Sequence, residues 1–238
     1  MSGAPPVTFL ETAAAEGIVF DPGDLPKLER YLDLLYEANQ RFNLTAIEDR
    51  ATAWTRHILD SLTLLAPLAA AEAKSVIDVG SGGGLPGIPL AIAMPEVRFT
   101  LLEATGKKAT FLREAVAALA LGNVEVVNER AETTGQDHHR HRECYDAVIA
   151  RAVGPLPVLL ELTVPLARVG GVVLCVKGER AAQEIEDARQ ALHLLHAAVI
   201  DTIRTPTGTI VVIEKQRKTP RNYPRRPGEP KRVPLGGS

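Results

Sequence analysis

The chain has almost no cysteine. Its two, Cys144 and Cys175, stand far apart and without metal-ligand spacing, which excludes a disulfide framework and offers no zinc site. Both are expected to be buried, unreactive thiols. Long apolar runs are also missing: no stretch of about 18 apolar residues occurs, so no membrane-spanning helix is expected. The opening "MSGAPPVTFLETAAAEG" has neither a basic start nor a long apolar run, and a cytoplasmic location is expected. A phosphate-binding P-loop is absent as well. It needs Lys followed by Ser or Thr after its last glycine, but Gly87 is followed by Ile88 and Pro89, so nucleotide hydrolysis is not expected. The chain has no internal repeats.

What is present is an ordinary globular composition. At 238 residues and 45% hydrophobic, the chain can bury one sizeable core. Its net charge of −2 conceals an asymmetry. From Lys215 to Arg232, "KQRKTPRNYPRRPGEPKR" has eight Lys and Arg against one Glu, a local +7, and the rest of the chain carries −9. Four prolines and no apolar periodicity describe a solvated tail. The same composition suits contact with a polyanion, because Lys and Arg displace counterions from phosphates and Tyr223 offers a ring for a base to stack on.

Apolar spacing organises the remainder. "LPKLERYLDLLYEANQRFN" repeats Leu25, Leu28, Leu32, Leu35 and Tyr36 at steps of three and four, and "ATAWTRHILDSLTLLAPLAA" behaves likewise; residues 1–70 are expected to form a helical cap. Short β-branched runs then alternate with helical segments, predicting strands near 74–79, 98–102, 124–128, 146–150 and 171–177 in a doubly wound parallel sheet. Two further runs, near 198–204 and 209–216, are joined by "TPTG" as an antiparallel hairpin. The expected architecture is α/β, with a core over 71–216 and a basic, proline-rich tail over 217–238. A parallel sheet closed by such a hairpin resembles the class I, Rossmann-like, S-adenosylmethionine-dependent methyltransferase fold.

The chemistry centres on "VIDVGSGGGLPGIPLA", residues 76–91, a strand running into a glycine-rich turn. Gly82, Gly84 and Gly87 satisfy GxGxxG, the pattern of a nicotinamide or flavin site. Against a dinucleotide, Pro86 and Pro89 lack the N–H groups that a helix start offers to a pyrophosphate. S-adenosylmethionine has no phosphate and needs instead a close backbone approach and an acid for its ribose. Asp78 ahead of Gly80, Gly82 and Gly84 gives the acid-x-G-x-G-x-G pattern of methyltransferases. Glu103, 21 residues beyond Gly82 and directly after the second strand, suits the ribose hydroxyls of either cofactor; its plainer alternative is a first-turn helix acid beside a Thr105 cap.

"RFNLTAI", "RHILDSL", the glycine loop, "FTLLEATGKKATFLREA", "RAE", "DAVIARAVGPL" and "VKG" follow one another in an order that resembles the RsmG (GidB) family of small-subunit ribosomal RNA guanine-N7 methyltransferases. That resemblance covers nearly the whole chain. It implies that Gly80 and Leu85 line the cofactor pocket, that Ala131 and Glu132 frame the adenine, and that Arg151 also contacts the cofactor. It implies too that Asn43 and His57 serve the substrate side, with Arg151 beside them. The partner implied is 16S ribosomal RNA in the small subunit, with a monomeric enzyme and S-adenosylhomocysteine as product.

Plainer readings stand beside these: an ion pair to an acid such as Glu161 for Arg151, a loop acid for Glu132, a turn or helix cap for Asn43, a surface or packed imidazole for His57. The run "HHRHR" from His138 to Arg142 departs most from the family and is expected to be a solvated loop without metal. Guanine N7 has no proton to remove, so positioning suffices without a general base. The chain also lacks the Asn/Asp-Pro-Pro-aromatic motif of amine methylation after the fourth strand, and neither cysteine is placed as the nucleophile that pyrimidine carbon requires. The tail, with Arg41 and Arg56 of the cap, is expected to hold the RNA. The competing classes are an NAD(P)-dependent oxidoreductase, a non-catalytic RNA-binding module on an adenosine-binding fold, and a small-molecule methyltransferase.

Overall fold

The computed structural model describes residues 4–236, so the extreme ends of the expected cap (1–3) and tail (237–238) lie outside the described residues. Seven strands form one sheet: β1 (Ser75–Val79), β2 (Arg98–Leu102), β3 (Val124–Val127), β4 (Tyr145–Arg151), β5 (Ala167–Lys177), β6 (Ala197–Thr205) and β7 (Gly208–Lys215). Their order is β3-β2-β1-β4-β5-β7-β6. Pairings from β3 across to β5 are parallel, and β7 runs antiparallel to both β5 and β6. The sheet has the expected arrangement, with all seven predicted strands within a few residues of their predicted bounds. β5 starts earlier than its β-branched run because Ala167 pairs with Tyr145 ahead of an irregularity in the ladder.

Strands buried on both faces need a layer of helices on each side. One face packs against the N-terminal helices and the helices Gly87–Ala93 and Gly106–Ala118; Leu28, Leu32, Trp54, Ile88 and Phe99 are buried there. The other face packs against Leu156–Thr163 and Arg189–Leu195, with Leu156, Leu160 and Leu195 among its buried residues. β1 has β2 on one side and β4 on the other, so the chain reverses direction of winding between them. Open α/β sheets bind ligands in the crevice at the carboxyl ends of such strands.

The structure corrects four expectations. "ATAWTRHILDSL" is not a continuous α-helix: Arg50–Ala53 leads into a π-helical turn, Trp54–Leu59, before Asp60–Leu62 resumes α geometry. Residues 217–236 are not a solvated tail. Buried Arg142 donates to the carbonyls of Thr219, Pro220 and Tyr223 at 2.7–3.2 Å, and Arg225 pairs with the fully buried Glu161 at 2.6 Å. Tyr223 is itself packed into the second core layer, leaving no ring for a base. The 138–142 run is correspondingly only half solvated: His138 to Arg140 are exposed, but His141 and Arg142 are buried, His141 bonding the Tyr145 hydroxyl at 2.7 Å. Of the cysteines only Cys175 is buried; Cys144 is exposed at the foot of β4.

Candidate active site

The glycine loop takes its shape from three left-handed residues, Gly80 (φ +74), Gly82 (φ +58) and Gly84 (φ +92), a conformation that costs an L side chain. The amides of Gly80 and Ser81 both donate to Leu102 O at the end of β2, at 2.8 and 3.1 Å, which folds the turn over the sheet edge. Glu103 faces that turn. One carboxylate oxygen accepts from Gly82 N at 2.9 Å and the other from Thr105 N at 2.7 Å. Each oxygen keeps a lone pair, so the pair of them matches a vicinal diol. Glu103 lies outside the helix Gly106–Ala118, and Thr105 is that helix's N-cap, which sets aside the reading of Glu103 as a first-turn helix acid. A Cβ at Gly82 would meet nothing nearer than Gly80 O at 3.8 Å, so the loop is open on that side.

Asp78 sits beneath the loop, fully buried, with one oxygen accepting from Gly87 N at 3.1 Å and the other unpartnered. Burial raises its carboxyl from the usual range to about 7, opposed by the Gly87 N–H and by Arg151. Its bond to Gly87, together with that of Ile88 N to Gly84 O, occupies the N–H groups at the helix start, and Pro89 has none. A pyrophosphate would find no free donor there. The donor set therefore fits an adenosine-bearing cofactor held by its ribose and not one held by phosphates.

Next to this shelf, a cavity of about 770 Å³ opens at the carboxyl ends of β4 and β5, lined among others by His57, Asp60, Arg151, Lys177, Glu184 and Thr207. Arg151, the last residue of β4, donates to Asp60 at 2.7 Å and to Arg56 O at 3.0 Å; its partner is thus Asp60, not Glu161. Asp60 also accepts from Thr207 in the β6–β7 turn, tying cap, central strand and hairpin at one carboxylate. His57 lies on the π-helical turn and is 7% exposed, with Nε2 bonded to the Thr45 hydroxyl at 2.7 Å and Nδ1 buried without a partner. Burial, and then the Arg151 charge, lower its pKa to about 4, so the imidazole is neutral at physiological pH.

With this geometry, comparison with known proteins is decisive. Residues 24–208 match the family model described as GidB, rRNA small subunit methyltransferase G. The chain is 47% identical over 223 residues to ribosomal RNA small subunit methyltransferase G of Sorangium cellulosum, covering 93% of this chain and 92% of that one. This chain belongs to the ribosomal RNA small subunit methyltransferase G family. The methyltransferase G of Chloroflexus aggregans is 44% identical across 99% of this chain and all of its own. A solved O-methyltransferase from Bacillus cereus in complex with SAH superimposes with a TM-score of 0.60 at 19% identity, covering 87% of this chain and 97% of that one; it shares the fold.

In this chain the remaining expected residues are placed as follows. Leu85 is buried in the first core layer, and Ala131 packs against the second. Glu132 turns away from the shelf toward the C-terminal segment, accepting from Arg130 at 2.9 Å and from Gly228 N at 2.7 Å. Asn43 is exposed on the loop after the helix Asp24–Asn39. Asn39 is the amide that organises this loop. Its Oδ1 accepts from Leu44 N and Thr45 N at 2.7 and 3.0 Å, and Thr45 in turn holds His57. Sequence reasoning passed over Tyr31, whose buried hydroxyl donates to Gly83 O at 2.7 Å and braces the glycine loop from the cap. It passed over Asp60, Lys177, Glu184 and Thr207 as well. The strings "RHILDSL" and "VKG" contained two of these, but only the fold brings the four together.

Proposed function

We propose that this chain, acting as a cytoplasmic monomer, transfers a methyl group from S-adenosylmethionine to N7 of a guanine in 16S ribosomal RNA of the small subunit. The observation that carries this reading is the Glu103 carboxylate, fixed by two backbone N–H groups beside an open glycine turn, next to a cavity large enough for a nucleotide. When bound, S-adenosylmethionine supplies a methyl group made electrophilic by its sulfonium and departs as S-adenosylhomocysteine. The chain's own work is orientation. Glu103 receives the ribose hydroxyls, Gly80, Gly82 and Gly84 let the backbone come close, and Asp78 braces the turn from below. Across the sheet edge, Arg151 is held by Asp60, and neutral His57, held by Thr45, lines the cavity on the substrate side. Guanine N7 presents a lone pair without a proton, so no group at the wall needs to act as a base.

Ala131 and Glu132 are assigned to the adenine end through their main chain, because the Glu132 side chain is already engaged. Asn43 and exposed Arg41 and Arg56 face incoming RNA, together with the cationic side chains of the folded C-terminal segment. The family named in the comparisons supports ribosomal RNA as substrate, and no helix among the described residues is long and apolar enough to cross a membrane. Calorimetric titration tests the cofactor assignment. S-adenosylmethionine is expected to bind, the reduced nicotinamide dinucleotides are not, and Glu103→Ala is expected to weaken S-adenosylmethionine by about tenfold or more through two lost charge-assisted hydrogen bonds. Equal binding by Glu103→Ala and the parent would remove the assignment.

A further inference from the structure

Between the glycine shelf and the cavity runs the short segment 152–155, which leaves β4 at Arg151 and enters the helix Leu156–Thr163. No ladder holds it. Ala152 has φ +55 without being glycine, a conformation that persists only where surroundings impose it. Its neighbour Val153 faces Gly80: a Cβ added there would come within 3.0 Å of the Val153 methyl Cγ2. The segment is therefore a wall shared by the glycine turn, the proposed place for the methyl donor, and the cavity, the proposed place for the acceptor.

Two charged residues fasten this wall from the cavity side. Lys177, the last residue of β5, sends its ammonium to Gly154 O at 2.6 Å and to Glu184 at 2.8 Å. The same Glu184 oxygen accepts from Leu156 N at 2.8 Å. Lys177 is only 8% exposed and Glu184 22%. A buried pair of this kind adds little net stability, since desolvation offsets most of its attraction. Both members nevertheless end on backbone groups of one segment, Gly154 and Leu156, just two residues apart.

We propose that Lys177 and Glu184 are positioning residues for methyl transfer, which set segment 152–155 so that Val153 lies against Gly80 and the two reactants meet at reacting distance. This rests on the methyl-transfer reading above. The pair lines the cavity and acts through the main chain of the wall, so its loss shows in the rate of the transfer step more than in either affinity.

The experiment measures single-turnover methyl transfer to unmodified small subunits at saturating S-adenosylmethionine. Dissociation constants for S-adenosylmethionine and for RNA are measured separately, in the parent, Lys177→Met, Lys177→Arg and Glu184→Gln. Misplacement of reactants by about an ångström costs on the order of a hundredfold. Lys177→Met is expected to slow transfer by roughly ten- to a hundredfold with both dissociation constants within about threefold of the parent. Lys177→Arg restores much of the rate by reaching the same carbonyl, and Glu184→Gln, which keeps an acceptor for Leu156 N and guards against a failure to fold, is slowed less than Lys177→Met. An active parent with unchanged variant rates, or variant rates that fall only with affinity or with the folded fraction, overturns the assignment of the pair. An inactive parent overturns the methyl-transfer reading itself, and the pair's role falls with it.

Discussion

Asp78 shows how one residue can serve the site at a cost to stability. Its carboxyl is raised to about 7 by complete burial, so the folded protein holds a proton there that the unfolded chain releases above its ordinary pKa. The stability tied to that proton is fully present below the unfolded value of about 4 and is lost as pH rises through about 7. Asp78→Asn keeps an acceptor for Gly87 N and removes the titration. The variant's unfolding temperature is therefore expected to gain on the parent's between about pH 4 and 7 and the difference to level off above that, as read by thermal unfolding from pH 4 to 9. A constant difference at all pH values would show that Asp78 ionises as freely in the folded protein as in the unfolded chain. His57 illustrates the opposite chemistry. Burial beside Arg151 strips its proton, leaving a neutral ring held by Thr45.

At the scale of elements, the helix after the glycine loop is seated almost against β1 and β2. A Cβ at Gly87 would stand 2.3 Å from Leu101 Cδ2 and 2.8 Å from the Asp78 carboxylate. Both neighbours are fully buried on strands that are paired on each side. Gly87→Ala is expected to destabilise the fold by about 1–3 kcal/mol, the usual cost of overpacking, measured by denaturant unfolding; a neutral substitution would mean the helix start shifts freely. The strands, the hairpin and the loop with Glu103 were legible because each is written locally, in β-branched runs, turn residues and a 21-residue step. The π-helical turn was not. Its apolar residues recur at the same three- and four-residue steps as in an α-helix, and the wider turn that sets His57 beside Thr45 leaves no separate pattern in the chain.

For the whole molecule, contacts that join distant parts were the least legible. Asp60 meets Arg151 across 91 residues and Thr207 across 147, and no local periodicity encodes such a meeting. The C-terminal segment misled for a related reason. It docks largely through its carbonyls and one guanidinium, so its composition reads as solvated while its backbone is engaged. Arg225 is a central fastening, because it pairs with Glu161, which has no exposure of its own. Arg225→Ala would leave that carboxylate buried without its charge partner and is expected to cost about 3–5 kcal/mol in an unfolding experiment. A change below about 0.5 kcal/mol, as at ordinary surface positions, would show that the segment is not fastened there.

The central claim is a reaction, and the most direct measurement follows the methyl group. Purified protein would be incubated with labelled S-adenosylmethionine and unmodified small ribosomal subunits, beside naked 16S RNA, transfer RNA and RNA-free controls, and the RNA digested to nucleosides. The proposed function predicts label in 7-methylguanosine derived from 16S RNA. Label in another nucleoside or another RNA, or none although S-adenosylmethionine binds, would contradict the account.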